Sequence, residues 1–228
     1  MQRYDVVVIG AGPSGAIASK TCAEKGLRTL LLEKYEIPRF KLCGGAVSMS
    51  ALSHVDFGIE RDLIEREGYG ERVHFKNHQI EIRRKSRMAI LVSRDKFDAF
   101  LVSKAVDAGV ELHEVEKARS LNQKQSTIVV ETNKEEYNAK VVIGADGVNS
   151  IVSRYVREPY KPEELGLCIA AEIPASNAEV DEYIENAVDI HYGITKSGYG
   201  WVFPKEKHFS VGVGGNLYSM KNLRDILM

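Results

Sequence analysis

Apolar positions recur with two periods along this chain. Tyr4-Asp5-Val6-Val7-Val8-Ile9 is a near-continuous β-branched run, the pattern of a parallel strand buried on both faces. It leads through Gly10-Ala11-Gly12-Pro13-Ser14-Gly15 into a helix closed by Gly26, and residues 27–32 form a second apolar strand. Met49, Leu52, Phe57, Leu63 and Ile64, interrupted at Gly58, predict a helix over residues 48–67. Residues 73–76 and 79–83 alternate about Asn77-His78 and predict a hairpin, with a third strand at 88–92. Phe97, Leu101 and Ala105 share one face of a helix that starts at Ser93 as N-cap and ends at Gly109. Residues 111–115, 118–121, 127–132, 137–138 and 141–143 read as strands of an antiparallel excursion. Residues 167–173, 188–192, 200–203 and 208–213 read as the strands of a second antiparallel sheet. Leu217, Met220, Leu223 and Leu227 predict a helix from Asn216 onward.

Composition narrows the class. With 228 residues and 44% hydrophobic content the chain can build one large domain or two small ones. A formal net charge of -1 gives no ground for nucleic-acid binding. The longest apolar runs are far too short to span a bilayer, and the first strand begins too early for a signal peptide. The three cysteines, Cys22, Cys43 and Cys168, have no C-x-x-C spacing, so a reducing cytoplasm is the natural setting and no zinc or disulfide framework is implied. The six histidines are scattered without ligand spacing, so no metal is expected.

The glycine turn carries the first chemistry. It fits G-x-G-x-x-G between a strand and a helix: Gly12 lets backbone approach a pyrophosphate, Gly15 lets the helix pack on the strand, and the helix N-terminus attracts phosphate. Glu33, at the end of the second strand, stands where a carboxylate accepts from an adenosine ribose and repels a 2′-phosphate, which favours FAD or NAD. Arg39 and Lys41 precede Gly44-Gly45 in a loop suited to an extended phosphate-bearing ligand; a basic surface loop is the alternative. Arg94 is poorly placed for the dipole of its own helix, which points to a specific role. Asp146-Gly147 ends a second strand-to-glycine turn and reads equally as a plain turn or a cofactor contact, with Ser150 or Asn149 capping a helix beyond it. The basic cluster Arg83-Arg84-Lys85-Ser86-Arg87 reads as a solvated turn or as a contact with an anionic substrate or membrane surface.

Taken in order, Gly10, Gly12, Gly15 and Glu33, the run Arg39 to Gly45, Val92-Ser93-Arg94, Gly144-Ala145-Asp146-Gly147 and Tyr199-Gly200-Trp201-Val202-Phe203-Pro204 resemble the flavoprotein oxidoreductases of the p-hydroxybenzoate hydroxylase fold, and within them the geranylgeranyl reductase family. The resemblance spans nearly the whole chain, and its last segment matches the family's Y-x-W-x-F-P motif. It implies an α/β fold, α+β overall: a Rossmann-like FAD-binding domain over residues 1–70 and 93–158 with an inserted antiparallel-sheet substrate domain over 71–92 and 159–228. It implies that Gly10, Ala11, Gly12, Pro13, Ser14 and Gly15 bind the FAD pyrophosphate, Glu33 and Lys34 flank the adenosine ribose, and Ala118 sits near the adenine. Arg39, Cys43, Gly44, Gly45 and Ala46 then lie along the ribityl chain and flavin ring, with Arg94, Asp146 and Gly147 as further cofactor contacts. Tyr199, Trp201, Phe203 and Pro204 line the substrate channel; alternate aromatics on one strand face suit an oily chain, and plain sheet core is their alternative reading. The family continues to a G-D-A-A-G segment with no counterpart before Met228, as expected of a piece of a longer protein or a shortened relative.

Three functions follow. The first is FAD-dependent reduction of C=C bonds in a polyprenyl lipid or diphosphate, with Cys43 or Tyr199 as the candidate proton donor and NAD(P)H or another donor of electrons. The second is a flavin monooxygenase or electron-transfer flavoprotein dehydrogenase on the same fold. The third is a nucleotide-binding module without turnover.

Overall fold

The structure is a computed structural model and describes residues 1–218. From the N-terminus the chain runs through β1 (Gln2–Ile9), α1 (Pro13–Glu24), β2 (Thr29–Leu32), β3 (Ala46–Ser48), α2 (Met49–Leu52), a single 3-10 turn at Arg61–Leu63 and β4 (Arg66–Gly68). Next come β5 (Gly70–Phe75), β6 (His78–Arg83), β7 (Ala89–Leu91), α3 (Arg94–Asp107), β8 (Glu111–His113), β9 (Ala118–Lys124), β10 (Thr127–Thr132), β11 (Glu136–Gly144) and α4 (Ser153–Val156). The rest is β12 (Gly166–Pro174), α5 (Asn177–Tyr183), β13 (Ala187–Tyr192), β14 (Gly198–Pro204) and β15 (His208–Asn216). These elements form two compact units, Met1–Phe40 with Asp95–Pro159, and Lys41–Arg94 with Tyr160–Met228.

The first unit is organised by a six-stranded sheet of order β8-β2-β1-β11-β10-β9. β1 pairs in parallel with both β2 and β11, β2 pairs in parallel with β8, and β10 pairs antiparallel with β11 and β9. Central position explains the unbroken apolar run of β1: Val7 and Val8, on opposite faces, are both wholly buried. One core cluster joins Tyr4, Val7, Ile9, Leu30, Leu32, Leu121, Val130, Tyr137 and Ala139. The expected antiparallel excursion is thus only partly antiparallel. β8 and β11 are parallel members of the N-terminal sheet, and residues 137–138 and 141–143 belong to one strand whose outward positions, such as exposed Lys140, break the apolar pattern.

The second unit holds a six-stranded sheet of order β12-β15-β14-β13-β5-β6 and a three-stranded sheet of order β3-β7-β4. All neighbours in the larger sheet are antiparallel except β13 and β5. The hairpin appears as β5 and β6, turning at Lys76-Asn77 with Phe75 opposite His78. The expected third strand does form, as β7, but it pairs with β3 and β4 instead of the hairpin. The expected helix over residues 48–67 shrinks to the four residues of α2, because residues on either side form β3 and β4 and bond to β7. That pairing also moves the first boundary: residues 41–70 fall in the second unit, not with residues 1–40. Asn216 ends β15, and most of the expected C-terminal helix lies outside the described residues.

The packing of α1 rests on one glycine. A Cβ on Gly15 would stand 1.8 Å from the Gly10 carbonyl oxygen, a backbone atom that no rotamer change can move. Gly15→Ala should therefore cost about 3 kcal/mol or more. Gly26, with φ +77° and open space around it, should cost only about 1 kcal/mol as alanine. Urea unfolding of the two variants beside the parent chain measures the difference.

Candidate functional site

In the first unit the end of β1, the start of α1 and the end of β11 converge. Gly10 takes φ +101°, and a Cβ there would lie 2.4 Å from the Ala145 carbonyl oxygen. The Ala145 N–H donates to the Ile9 carbonyl at 2.8 Å, so the two glycine turns are stitched to each other. α1 opens on Pro13 with Gly12 as N-cap and no side chain capping it, which leaves its dipole end undisturbed. A Cβ on Gly12 would meet only Arg39 Nη2, at 3.7 Å, so this is the open side of the turn; Ser14 is exposed beside it.

Glu33 is buried at the end of β2. Its Oε2 accepts the Ala11 N–H at 3.0 Å and its Oε1 the Tyr35 N–H at 3.2 Å. Each oxygen keeps a lone pair for a further donor. Arg39 places Nε 3.5 Å from Glu33 Oε2 and Nη1 3.1 Å from buried Asp98 Oδ2. The Nη1 contact is an ion pair without hydrogen-bond alignment, since that atom is buried with no hydrogen-bond partner. The guanidinium is therefore held by two carboxylates beside Gly12. Asp98 joins the site without any sequence signal beyond its odd position on the buried face of α3.

Asp146 follows β11. Its Oδ2 accepts the Ile151 N–H at 2.7 Å, while Oδ1 is buried with no partner. Ser150 accepts the Ser153 N–H at 2.9 Å, but the N-cap of α4 is Val152, which has no side-chain cap, so neither Ser150 nor Asn149 takes the expected position. Gly147 takes φ +81° with open space around it. Lys34 is exposed and lies over the Tyr35 ring, and Ala118 is buried in the core cluster at the start of β9.

In the second unit Cys43 is exposed, and its Sγ accepts the Gly45 N–H at 3.5 Å. Gly44 and Gly45 make close approaches and do not start a helix. A Cβ on Gly44 would stand 2.6 Å from the Phe203 ring and 3.0 Å from Trp201 Nε1. Gly45, at φ +72°, lies against the Val92 carbonyl and the ammonium of Lys205, and exposed Ala46 begins β3. Tyr199, Trp201 and Phe203 form a row on one face of β14, with successive ring centroids 6.2 and 6.3 Å apart. Trp201 is 7% exposed and its Nε1 is buried without a partner, whereas Tyr199 is 44% exposed; Pro204 is buried. Arg94 is the first residue of α3 and half-buried. The Ser93 hydroxyl donates to Glu65 Oε1 at 2.5 Å.

Sequence reasoning missed Lys205. It is 3% exposed, donates to the Val92 carbonyl at 2.6 Å, and burial pulls its ammonium pKa down against the nearby Glu65, Cys43 and Glu172. Its place directly after Pro204 in the aromatic motif was the available signal. A separate polar cavity of about 500 Å³, lined by residues such as Glu65, Arg66, Tyr69 and Asp181, contains none of the expected site residues.

Residues 3–215 match the family described as FAD binding domain. The digeranylgeranylglycerophospholipid reductase of Methanosarcina acetivorans is 36% identical over 226 residues, which are 92% of this chain and 54% of that protein. A geranylgeranyl bacteriochlorophyll reductase-like protein from Thermoplasma acidophilum superposes with a TM-score of 0.88 at 27% identity, over 100% of this chain and 61% of that one. The myxobacterial chondrochloren halogenase, at 17% identity and a TM-score of 0.73 over 95% of this chain and 53% of that one, shares the fold alone. The chain thus spans between half and two thirds of the length of these proteins. The residues present fit FAD: the open side at Gly12 suits a pyrophosphate, and the orphaned Asp146 Oδ1 is an acceptor for a hydroxyl donor.

A second polar cluster arises in the second unit from the parallel pairing of β5 and β13, which sets Arg72 beside Asp189 and His74 beside His191. Wholly buried Asp189 is gripped by Arg72 at 2.6 and 2.8 Å and by His74 Nε2 at 3.2 Å. The two imidazoles stack at 4.2 Å and 3°. Although these three side chains come within metal-ligand reach of one another, Arg72 occupies both carboxylate oxygens and the parallel rings point side by side. The cluster is a structural ion-pair network. Burial would raise the Asp189 pKa, but the bonds to Arg72 and His74 outweigh it and hold the carboxyl low. Burial, then the His74 charge, pushes His191 down. Both groups bind protons less readily in the folded state, so both make stability fall with falling pH. The His191 contribution should be lost as pH drops through its ordinary 6.5, and the Asp189 contribution below its ordinary 3.8. His191→Gln should abolish the upper limb and leave the lower, as measured by urea midpoints across pH.

Proposed function

This chain belongs to the family of FAD-binding domains, and on that premise we propose that it is the nucleotide-binding part, with part of the substrate domain, of a reductase that saturates C=C bonds in polyprenyl groups of lipids. The observation that carries the reading is the aromatic row of β14, whose central indole is buried between two glycines, Gly44 and Gly212. A Cβ on Gly212 would come 2.1 Å from the Trp201 ring. Space for the indole is bought with two residues that contribute nothing else to a core, while Tyr199 stays open beside it. A flat apolar wall suits an isoprenoid tail better than a small polar substrate. The relatives named as reductases of geranylgeranyl groups support the same substrate class.

FAD, when bound and reduced, supplies the hydride. The chain's own residues do the rest. Gly10 to Gly15 and the free end of α1 hold the pyrophosphate, and Glu33 accepts from the adenosine ribose while fixing Ala11. Arg39, kept in place by Glu33 and Asp98, brings positive charge to the open side of Gly12. Asp146 offers Oδ1 to a cofactor hydroxyl. Tyr199, Trp201 and Phe203 orient the alkene and exclude water. Cys43 and Tyr199, both exposed to an incoming substrate, are the proton donors to test.

The chain reconstituted with FAD and reduced without oxygen should be reoxidised by a digeranylgeranyl lipid and not by its saturated counterpart. Equal reoxidation by both would overturn the substrate assignment. Glu33→Arg should weaken FAD binding at least tenfold by flavin-fluorescence titration, because it removes the ribose acceptor and unpairs Ala11. Trp201→Ala should leave FAD affinity intact and slow reoxidation.

A further inference from the structure

The aromatic row does not end at β14. Strand register carries its face across the sheet: Tyr199 stands opposite Tyr192 and Trp201 opposite Ile190 on β13, and these lie beside Phe75 and Val73 on β5. Val73 and Phe75 in turn face Ile80 and His78 on β6, with Ile82 one step along opposite Glu71. Residues paired in register share a face, so one apolar stripe runs from Trp201 to the edge strand. Its burial falls along the way, from 7% exposed at Trp201 and 9% at Ile190 to 48% at Phe75 and 65% at Ile80.

β6 is exposed along all six residues, and two isoleucines on an open edge are a feature that soluble proteins normally remove. A basic turn follows directly. Arg83 and Arg87 are engaged, by Glu81 and Glu185 and by Glu67 respectively. Among the described residues, Arg84 and Lys85 form no ion pair. The Arg84 N–H bonds the Tyr69 carbonyl at 2.8 Å, which extends the ladder by one residue. Alternation therefore puts Arg84 on the same face as Ile80 and Ile82. Exposed aliphatic side chains next to unpaired cations match the chemistry of an anionic bilayer, with apolar contact below and phosphate contact at the rim. No helix of the described residues is long and apolar enough to cross a membrane.

We propose that Phe75, Ile80 and Ile82, with Arg84 and Lys85, form a docking surface for an anionic lipid bilayer, from which the apolar stripe leads a prenyl tail toward Trp201. The docking stands on exposure and charge; only the path of the tail rests on the reductase reading. A bare phosphate could satisfy the cations, but it would leave the isoleucines uncovered, and a protein strand pairing with β6 would leave Arg84 and Lys85 without a counter-charge.

The test is cosedimentation of the chain with vesicles of phosphatidylcholine, alone or mixed with phosphatidylglycerol. The chain should bind the mixed vesicles, bind phosphatidylcholine poorly, and lose binding as salt is raised. Arg84→Glu with Lys85→Glu should reduce binding about tenfold or more and flatten the salt dependence. Ile80→Ser with Ile82→Ser should reduce binding at any salt, while circular dichroism shows an unchanged fold. Absence of binding to mixed vesicles, equal binding by the variants, or self-association through β6 in sedimentation equilibrium would each overturn the proposal. Reoxidation of the reduced flavoprotein by a detergent-dispersed lipid does not depend on docking. Failure of the parent chain to bind mixed vesicles, with that reaction intact, would sink this surface and leave the reductase reading standing.

Discussion

The first unit depends on a backbone-to-backbone contact between two turns far apart in sequence. Gly15 brings α1 down onto the Gly10 carbonyl, Gly10 lies against the Ala145 carbonyl, and the Ala145 N–H bonds the Ile9 carbonyl. Neither glycine approach leaves room for a Cβ. The consequence is that the ends of β1 and β11, the N-terminus of α1 and the Glu33 carboxylate meet in one small region. An electropositive helix end and an acceptor for hydroxyls are thereby fixed on regular elements, and the Arg39 guanidinium, carried on the loop after β2, is held against them by Glu33 and Asp98.

What the sequence disclosed follows from how local each signal was. The strand-turn-helix-strand of residues 2–33 was legible because every signal lies within one βαβ unit, and the acid stood at the expected distance. The misreading of residues 48–67 has the opposite cause. Met49, Leu52 and Ile64 fall at helical spacing, but β3 and β4 are decided by β7, a strand more than twenty residues further on. Tertiary pairing overrode local period. β11 likewise looked like two fragments of an antiparallel segment because its parallel partner β1 lies at the other end of the unit's sequence. Candidate cofactor residues of the first unit were readable from motif and spacing. Asp98 was not, because an aspartate on a helix carries no mark of the arginine it will meet.

The same limit governs the second unit. His74 and His191 gave no local sign of a cluster, since only the register of β5 on β13 sets them beside each other. Lys205 was passed over because lysines are almost always solvated. Its burial is intelligible only once Gly45 is seen to have made room for the ammonium beside the Val92 carbonyl.

Satisfaction of buried polar groups separates scaffold from site. Asp189 is as deeply buried as any charge in the chain, yet both of its oxygens are bonded, and nothing about it asks for a ligand. Among the described residues, four buried side-chain atoms have no hydrogen-bond partner: Arg39 Nη1, Asp146 Oδ1, Trp201 Nε1 and His191 Nε2. The last belongs to an imidazole whose pKa is lowered by burial and by its stacked neighbour, and it lies 3.8 Å from Asp189 Oδ2 within the ion-pair network. The other three are residues that sequence pattern had already assigned to cofactor or substrate. An orphaned buried polar atom costs about 1–3 kcal/mol. Of the three, Arg39 Nη1 already faces the Asp98 carboxylate at 3.1 Å, and an isoprenoid offers the Trp201 N–H no acceptor, so the cost that a bound dinucleotide relieves is that of Asp146 Oδ1, through a cofactor hydroxyl.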